Sequence, residues 1–158
     1  MSKITPFLWF DNQAEEAMHY YCAIFKNSKV GSITRNGPDR PGEPGSVLLV
    51  TFELEGQAIT ALNGGPHFHF TEAISFYVDC QDQAEVDELW MKLCAEGEPG
   101  QCGWLKDKYG LSWQIVPKAL GELMQDSDPE KTQRVMQAML KMTKLDVEGL
   151  KRAYAGME

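Results

Sequence analysis

The stretch Asn12-Gln13-Ala14-Glu15 recurs as Asp82-Gln83-Ala84-Glu85, and this recurrence decides the predicted fold. Each copy opens an amphipathic segment, follows an aromatic, strand-like run and precedes a hairpin-like pattern around a glycine. Internal repetition of this kind predicts two βαβββ modules, a pairing that usually curls around a pocket. The alternative is chance, because an N-cap residue followed by acidic residues is a common helix opening.

The bulk composition limits the class of protein. A chain of 158 residues suits one domain, or two closely packed half-domains, with a real core. Its formal net charge of -8 argues against a phosphate backbone as partner, so we predict no nucleic-acid binding. No apolar run approaches the ~18 residues of a membrane-spanning helix, so we predict no membrane partner. The scattered cysteines lack CxxC spacing and Met1 leads into polar residues, which favours a cytoplasmic location.

The first half of the chain predicts one helix among strands. Aromatic and β-forming residues favour a strand from Ile4 to Phe10, and Asp11-Asn12 are predicted to cap the helix that follows. Lys29 to Arg35 favour a second strand, and a hairpin is predicted around Gly56. Between them, residues 36–45 are dense in glycine and proline, which predicts a surface loop that we interpret as a mobile lid.

The second half repeats this order and then departs from it. A helix is predicted from Gln83 to Ala95, and Trp104 to Pro117 predict a closing hairpin. Further on, Pro129 follows Asp128 as at a helix start, and an apolar band rich in methionine predicts an amphipathic helical tail. The predicted class is α+β, with a domain over residues 1–118, modules at about 1–66 and 67–118, and a helical C-terminal extension over 119–158.

His67 and His69 are the first candidates for chemistry. Alternate positions of a strand face the same way, so two imidazoles with this spacing could share one metal ion, with Glu72 or Cys80 as a further ligand. The alternative interpretation is that histidines in an aromatic loop form hydrogen bonds or stack. Spacing alone does not decide between these roles.

Gln114 and several aromatic side chains predict a binding surface. A neutral amide within the apolar run from Leu111 to Val116 must find hydrogen bonds if it is buried, so Gln114 faces either a wet pocket or a bound molecule. Large aromatic rings lie on the same predicted strands and could stack on a flat or apolar ligand: Trp9, Phe76, Trp104 and Trp113. Core packing would explain any one of these rings equally well.

Several common catalytic motifs are missing from the sequence. No serine lies in a Gly-x-Ser-x-Gly elbow, and no glycine-rich phosphate loop or GxGxxG motif is present. Cys22 and Cys94 lie on or beside apolar helical stripes, where a small buried residue is the ordinary role. These observations disfavour serine hydrolases and nucleotide-binding folds.

Several longer motifs resemble a known family. They are Asn63-Gly64-Gly65-Pro66-x-Phe68-x-Phe70, Ala73-Ile74-Ser75-Phe76-x-Val78-x-Cys80, Val86-Asp87-x-x-Trp90, and Cys102-Gly103-Trp104-Leu105-x-Asp107-x-x-Gly110-x-Ser112-Trp113-Gln114. Together they resemble the PhnB-like family, often labelled 3-demethylubiquinone-9 3-methyltransferase-like, of the vicinal oxygen chelate superfamily. That superfamily includes glyoxalase I, extradiol dioxygenases and bleomycin resistance proteins. The resemblance covers about Lys3 to Pro117.

The resemblance implies paired βαβββ modules, usually in homodimers, whose sheets wrap a cavity that often holds a divalent metal ion. It also implies that Gln114 lies where metal-dependent members carry a ligand glutamate. Thr5 and Ala73 fall where histidine or another ligand is expected, and Thr60 or Ala61 falls at the remaining acidic position. Threonine, alanine and a neutral amide do not form the charged or imidazole shell that holds Zn²⁺ or Ni²⁺ tightly.

The resulting functional hypothesis is a small-molecule binding protein, predicted to act as a homodimer without metal or other cofactor. The ligand is expected to be aromatic or apolar. The candidate ligand-binding residues are Thr5, Phe7, Trp9, Thr60, Asn63, His67, His69, Phe76, Trp104 and Gln114. The first alternative is a glyoxalase- or dioxygenase-type enzyme with an atypical site. The second is a methyltransferase, although typical class I methyltransferases use a doubly wound sheet with a glycine-rich loop.

Overall fold

The structure is a computed structural model that describes residues 2–39 and 42–157. The chain divides into two compact units after His69. In the described residues, each unit has one four-stranded sheet, and a helix lies between its first two strands in the sequence. The second unit also carries three C-terminal helices. This architecture confirms the predicted α+β fold of paired βαβββ modules with a C-terminal helical extension.

The first module consists of one helix and four strands. In chain order these elements are β1 (Phe7–Phe10), α1 (Ala14–Ile24), β2 (Ser28–Arg35), β3 (Val47–Leu54) and β4 (Gln57–Asn63). The sheet order is β1-β4-β3-β2, in which β1 runs parallel to β4 and the other neighbours are antiparallel. The tight turn between β3 and β4 uses Gly56 at a φ of 80°, a conformation that glycine adopts without strain.

Strand alternation gives this sheet an apolar face and an open face. Leu8 and Phe10 of β1 are buried on the side of α1, where the Tyr21 ring stacks on Phe52 at a centroid distance of 6.3 Å. Phe7 and Trp9 alternate with them and therefore lie on the opposite face, which we call the open face of the first module. The core of this module thus lies between α1 and the sheet.

Two predictions for the start of this module are wrong in detail. The first strand begins at Phe7 rather than Ile4, because Pro6 has no N–H to donate to a neighbouring strand. The helix begins at Ala14, and its N-cap residue is Gln13, which makes no side-chain cap hydrogen bond. The Ala14 N–H is instead bound by the side chain of Asn63, at 2.8 Å, so a distant strand supplies the cap that was expected from Asp11-Asn12.

The glycine- and proline-rich loop lies between β2 and β3. Arg40 and Pro41 of this loop lie outside the described residues. Its ends are joined by hydrogen bonds, since Asn36 N–H donates to the Ser46 carbonyl and Gly45 N–H donates to the Asn36 carbonyl, both at 2.8 Å. The lid function stays a prediction.

The second module repeats the order of the first and adds three helices. Its elements are β5 (Ser75–Cys80), α2 (Gln83–Cys94), β6 (Glu98–Pro99), β7 (Trp104–Lys106), β8 (Ser112–Pro117), α3 (Lys118–Met124), α4 (Pro129–Leu140) and α5 (Val147–Tyr154). The sheet order is β5-β8-β7-β6, with β5 parallel to β8. Asp82 accepts the Glu85 N–H at 3.0 Å, while the Glu85 carboxylate accepts the Gln81 N–H at 2.9 Å. The second helix therefore starts at the predicted residue, with a reciprocal cap.

The C-terminal helices are fastened to the second module. Gln83 at the start of α2 donates from Nε2 to the Leu145 carbonyl at 3.0 Å and accepts the Val147 N–H at 2.7 Å. The N–H groups of Cys102 and Gly103 donate to the carbonyls of Met142 and Thr143. As predicted, α4 begins at Pro129. No helix in residues 2–39 and 42–157 is long and apolar enough to cross a membrane.

Candidate binding site

The open face of the second sheet carries the polar residues of the family motif. Strand alternation buries Trp113, Ile115 and Leu105 on one face of this sheet. The opposite face, which we call the open face of the second module, carries two rows of residues that follow the strand register across β5, β8 and β7. The outer row is Tyr77, Gln114 and Trp104, and the inner row is Ser75, Ser112 and Lys106.

Gln114 lies at the centre of the outer row. Its Nε2 donates a hydrogen bond of 3.0 Å to the Ser75 hydroxyl on the neighbouring strand. This bond uses one of the two N–H groups of the amide and fixes its orientation. The amide also has a second N–H and a carbonyl oxygen, and it adds no formal charge to the outer row.

Tyr77 and Trp104 flank Gln114 in this row. Tyr77 is 60% exposed, and Trp104 is half-buried. Partial burial raises the pKa of the Tyr77 phenol, and the negative charge of Asp79 raises it further. The phenol therefore stays protonated at neutral pH, and the row consists of two aromatic faces around a neutral amide. Such an arrangement suits a flat molecule with one polar group.

The inner row contains an unusual hydroxyl. Ser112 is fully buried, and within the described residues 2–39 and 42–157 its Oγ has no hydrogen-bond partner. Its neighbour Lys106 forms an ion pair of 2.5 Å with Glu72. The hydrogen bond and charge of Lys106 lower the pKa of the Glu72 carboxyl, so both groups are ionised at neutral pH.

The open face of the first module is mainly aromatic. Phe7 is 57% exposed, and Thr60 is its register partner on β4. The Trp9 indole donates from Nε1 to the Gly65 carbonyl at 2.9 Å and meets the Phe68 ring edge-on at 4.9 Å. A Cβ at Gly64 would lie 2.3 Å from the Trp9 ring, so only glycine allows this close approach.

The other predicted ligand-binding residues lie elsewhere. The Asn63 side chain is engaged in the fold, because it binds Ala14 and also donates to the Val47 carbonyl at 3.0 Å. The Phe76 ring meets the buried Trp113 ring edge-on at 5.2 Å, on the apolar face. His67 and His69 are exposed in the segment after β4, and Thr5 is exposed before β1.

Sequence reasoning missed Ser75, Tyr77 and Ser112. The repeat itself held the signal, because the shift that carries Asn12 to Asp82 also carries Thr5 to Ser75 and Phe7 to Tyr77. The strand register agrees, since Phe7 pairs with Thr60 and Tyr77 pairs with Gln114. Thr60 of the first module therefore corresponds to Gln114 of the second, and Ala61 lies buried on the apolar face.

These positions do not fit the divalent metal ion that the fold family implies. In the second module they offer an amide and a hydroxyl, already bonded to each other, and in the first module they offer threonine hydroxyls. Zn²⁺ and Ni²⁺ are held by imidazole, thiolate or carboxylate groups. Within residues 2–39 and 42–157, no three His, Cys, Asp or Glu side chains are grouped so as to hold a metal ion.

Asp107, the acidic residue of the family motif, has a structural role. Its carboxylate accepts hydrogen bonds from the N–H groups of Tyr109 (2.8 Å) and Leu111 (3.2 Å), and from the Trp113 indole (2.8 Å). The side chain is 3% exposed. It therefore shapes the turn between β7 and β8 and fixes the register that places Gln114 and Ser112 on the open face.

A separate cavity of about 340 Å³ lies at the start of α1. Its lining includes the carboxylates of Asp11 and Glu15 and the amides of Asn36 and Asn63. Both amides form hydrogen bonds within the module, Asn63 to Ala14 and Asn36 to the Ser46 hydroxyl at 3.0 Å. Of the predicted ligand-binding residues, the lining contains Asn63 alone.

Comparisons with known proteins identify the family of this chain and support its fold. A family model described as 3-demethylubiquinone-9 3-methyltransferase matches residues 2–116. The solved structure of a putative 3-demethylubiquinone-9 3-methyltransferase, PhnB protein, from Bacillus cereus is 38% identical, with a TM-score of 0.68 over 73% of this chain and 99% of that chain. Protein PA1353 from Pseudomonas aeruginosa is 18% identical, with a TM-score of 0.58 over 75% and 98% of the two chains. No curated protein matches the sequence.

Proposed function

This chain belongs to the 3-demethylubiquinone-9 3-methyltransferase (PhnB-like) family of the vicinal oxygen chelate superfamily, and we propose that it binds a small aromatic or apolar molecule without a metal ion. The observation that carries the proposal is the outer row of the second module. There Gln114 is held by Ser75 between the aromatic side chains of Tyr77 and Trp104.

The chemistry of this row favours a flat and largely uncharged ligand. Aromatic rings contribute apolar area and prefer stacked or edge-on contact with another ring. A single neutral amide then orients the ligand by a hydrogen bond, as is common in small-molecule sites. A strongly charged ligand would be favoured less, because Gln114 has no formal charge and Lys106 is already paired with Glu72.

The family label suggests methyl transfer, and the fold gives it no support. Typical class I methyltransferases bind their cofactor at a glycine-rich loop of a doubly wound parallel sheet. In the described residues the two sheets have the orders β1-β4-β3-β2 and β5-β8-β7-β6, each with a single parallel pair. We therefore propose binding rather than methyl transfer as the function of the open face.

Titration with 2-acetylnaphthalene, followed by tryptophan fluorescence and by the rise in melting temperature, tests the proposal. We expect saturable binding that is unchanged by added Zn²⁺ or by a chelator. Tyr77→Leu and Trp104→Leu should each weaken binding by about tenfold, because each variant loses one aromatic contact with the ligand. Tyr20→Leu, on α1, is the matched control and should leave binding unchanged. Absence of binding, or binding that requires Zn²⁺, would refute the proposal.

We also propose that the protein is a homodimer. The first module exposes several large apolar side chains, including Ile4 (81%), Phe7 (57%) and Val30 (48%), and exposed apolar groups of this kind are common at interfaces between subunits. Light scattering on the purified chain should give twice the mass of 17.8 kDa. A single-chain mass at micromolar concentration would contradict the proposal.

A further inference from the structure

The cavity at the start of α1 has a volume of about 340 Å³, and all of its described lining residues belong to the first module. This volume lies within the range of small-molecule sites, which extends from about 300 to 1,000 Å³. The function proposed above does not use the cavity. A molecule bound here would therefore be a second ligand, and the lining residues specify its chemistry.

The charge of the lining favours a cation. The lining contains the carboxylates of Asp11 and Glu15, and none of its described members is lysine, arginine or histidine. The N-terminal pole of α1 carries about half a positive elementary charge, which alone would attract an anion. Two carboxylates outweigh this pole, and Glu16 adds a third in the same helical turn. The net field in the cavity is therefore negative.

The Glu15 carboxylate remains available to a ligand. Its Oε2 atom lies 3.8 Å from Nε2 of His19, one turn further along α1. This contact is an ion pair only when the imidazole is protonated. Within residues 2–39 and 42–157 the Glu15 side chain has no other ion pair or hydrogen bond, so its Oε1 atom can accept from a ligand.

The Asn36 side chain supplies an acceptor whose orientation is fixed. The Ser46 hydroxyl donates its only hydrogen to the Glu43 carbonyl at 2.6 Å, so it must accept from Asn36 Nδ2, which is 3.0 Å away. This bond directs Asn36 Oδ1 away from Ser46. Asn36 is 8% exposed, and within residues 2–39 and 42–157 its Oδ1 atom neither accepts a hydrogen bond nor is enclosed. The free oxygen of this buried residue therefore opens onto the cavity that the residue lines.

We propose that the cavity binds a small organic cation that donates N–H hydrogen bonds, an ammonium or guanidinium compound. Asp11 and Glu15 supply the negative charge, and Asn36 Oδ1 accepts one N–H. An ammonium group suits these side chains because it has three N–H donors and no acceptor. Val47, which also lines the cavity, provides apolar surface for a short alkyl chain.

The same lining fits a metal ion less well. Ca²⁺ takes about six to eight oxygen ligands. In residues 2–39 and 42–157, no three His, Cys, Asp or Glu side chains are grouped so as to hold a metal ion. The Asn63 side-chain oxygen, which could add a ligand, already accepts the Ala14 N–H at 2.8 Å. An organic cation needs no such complete oxygen shell.

Calorimetric titration of the purified chain with 1,4-diaminobutane at low salt tests the proposal, and we expect saturable binding at one site. Two related probes are the controls. Neutral 1,4-butanediol lacks the charge, and the fully N-methylated dication keeps the charge but has no N–H group. Each should bind about tenfold more weakly or less, because it lacks the charge-assisted hydrogen bonds. Absence of diamine binding, or equal binding of the methylated dication, would overturn the proposal.

Two inorganic ions test the competing classes of ligand. Inorganic phosphate should not bind, and phosphate binding in place of the diamine would show that the helix pole dominates. CaCl₂ should displace the diamine little better than NaCl of equal ionic strength, because screening alone weakens the contact. Much stronger displacement by Ca²⁺ would make the cavity a metal site. Either result would refute the assignment to an organic cation.

Substitutions locate the cation. Asp11→Asn and Glu15→Gln should each weaken diamine binding about fivefold, the effect of one ion pair in partial contact with water. Glu16→Gln is the matched control, because it makes the same charge change in the same helical turn outside the lining, and it should change binding less than about twofold. Melting temperatures within about 2 °C of wild type will show that all three variants are folded. Equal losses in Glu15→Gln and Glu16→Gln would reveal a diffuse attraction and contradict the proposal.

Nuclear magnetic resonance separates this cavity from the open face of the second module. The diamine should shift the side-chain amide signals of Asn36 and leave those of Gln114 unchanged. Shifts at Gln114 without shifts at Asn36 would place the cation outside the cavity and overturn the proposal. Because the two sites have no described residue in common, failure of 2-acetylnaphthalene to bind would refute the proposed function alone.

Discussion

The side-chain oxygen of Asn63, at the end of β4, accepts the backbone N–H of Ala14 at the start of α1 across 2.8 Å. The same side chain donates from Nδ2 to the Val47 carbonyl on β3 at 3.0 Å. One asparagine thereby joins the helix to two strands of its sheet. The bond to Ala14 caps the helix, because the first residues of a helix need acceptors for their free N–H groups.

Asn63→Ala should therefore destabilise the protein. The loss of the cap and of the second hydrogen bond is expected to lower the free energy of unfolding by about 1–3 kcal/mol. Urea denaturation measures this change. Asn12→Ala, at the residue expected to cap the helix from sequence, is the control and should stay within about 0.5 kcal/mol of wild type. Equal losses in the two variants would contradict the assignment.

Gln83→Ala should loosen the C-terminal helices. The side chain binds the backbone of Leu145 and Val147, so its removal leaves a carbonyl and an N–H without their partner. We expect the amide hydrogen of Val147 to exchange with solvent about tenfold faster, because the lost hydrogen bonds contribute on the order of 1–2 kcal/mol of local stability. The counterpart in the first repeat, Gln13→Ala, should leave that exchange unchanged. Unaltered protection in Gln83→Ala would show that other contacts hold the extension.

Cys80 should make the stability depend on pH in alkaline solution. Burial raises the pKa of its thiol from the ordinary 9.0 to about 12, with further contributions from the charges of Glu85 and Asp79. The folded state thus binds this proton more tightly than the unfolded state does. The resulting stability is complete below about pH 9 and is lost as the pH rises towards 12.

In Cys80→Ala, the free energy of unfolding should therefore fall less steeply between about pH 9 and pH 11 than in wild type. Denaturation at a series of pH values measures the slope, and a constant offset from lost packing does not affect it. Cys102→Ala, at a half-buried position, serves as the control. Identical slopes in wild type and Cys80→Ala would contradict the prediction.

Asp107→Asn should disturb the turn between β7 and β8. The Asp107 carboxylate accepts from two backbone N–H groups and from the Trp113 indole. The side-chain amide of asparagine would replace one accepting oxygen with an NH₂ group, so two donors would then face each other. We expect a loss of about 2–4 kcal/mol in unfolding free energy. The effect should shrink in a Trp113→Phe background, where one donor is absent. A stable Asp107→Asn protein that has lost ligand binding would instead assign Asp107 to the site.

Local patterns predicted most of the secondary structure. The second helix begins at Gln83 as predicted, because Asp82 and Glu85 form a cap from residues close in sequence. The first helix has the same pattern, but its cap comes from Asn63, on a strand that is distant in sequence. Local reasoning detects the first kind of cap and cannot detect the second.

The candidate site shows the same division. Residue type and motif predicted a binding role for Gln114, Trp104 and Trp9, and the structure places these side chains on the open faces. Phe76 was selected for the same reasons and lies on the apolar face, because a shift of one residue along a strand changes the face. Ser75 and Ser112 carry no signal of their own, since serine is common and neither lies in a catalytic motif.

The sequence by itself determined the duplicated βαβββ plan, the family and the lack of metal-binding side chains at the expected positions, because repeats, motifs and residue chemistry can be read along the chain. The tertiary structure alone decided which side chains become neighbours. In both modules the parallel strand pair joins the first strand to the last, so Ser75 meets Ser112 and Gln114 only after the sheet has formed. The hydrogen bond from Gln114 to Ser75 and the partnerless Ser112 hydroxyl depend on that long-range register, which no local pattern encodes.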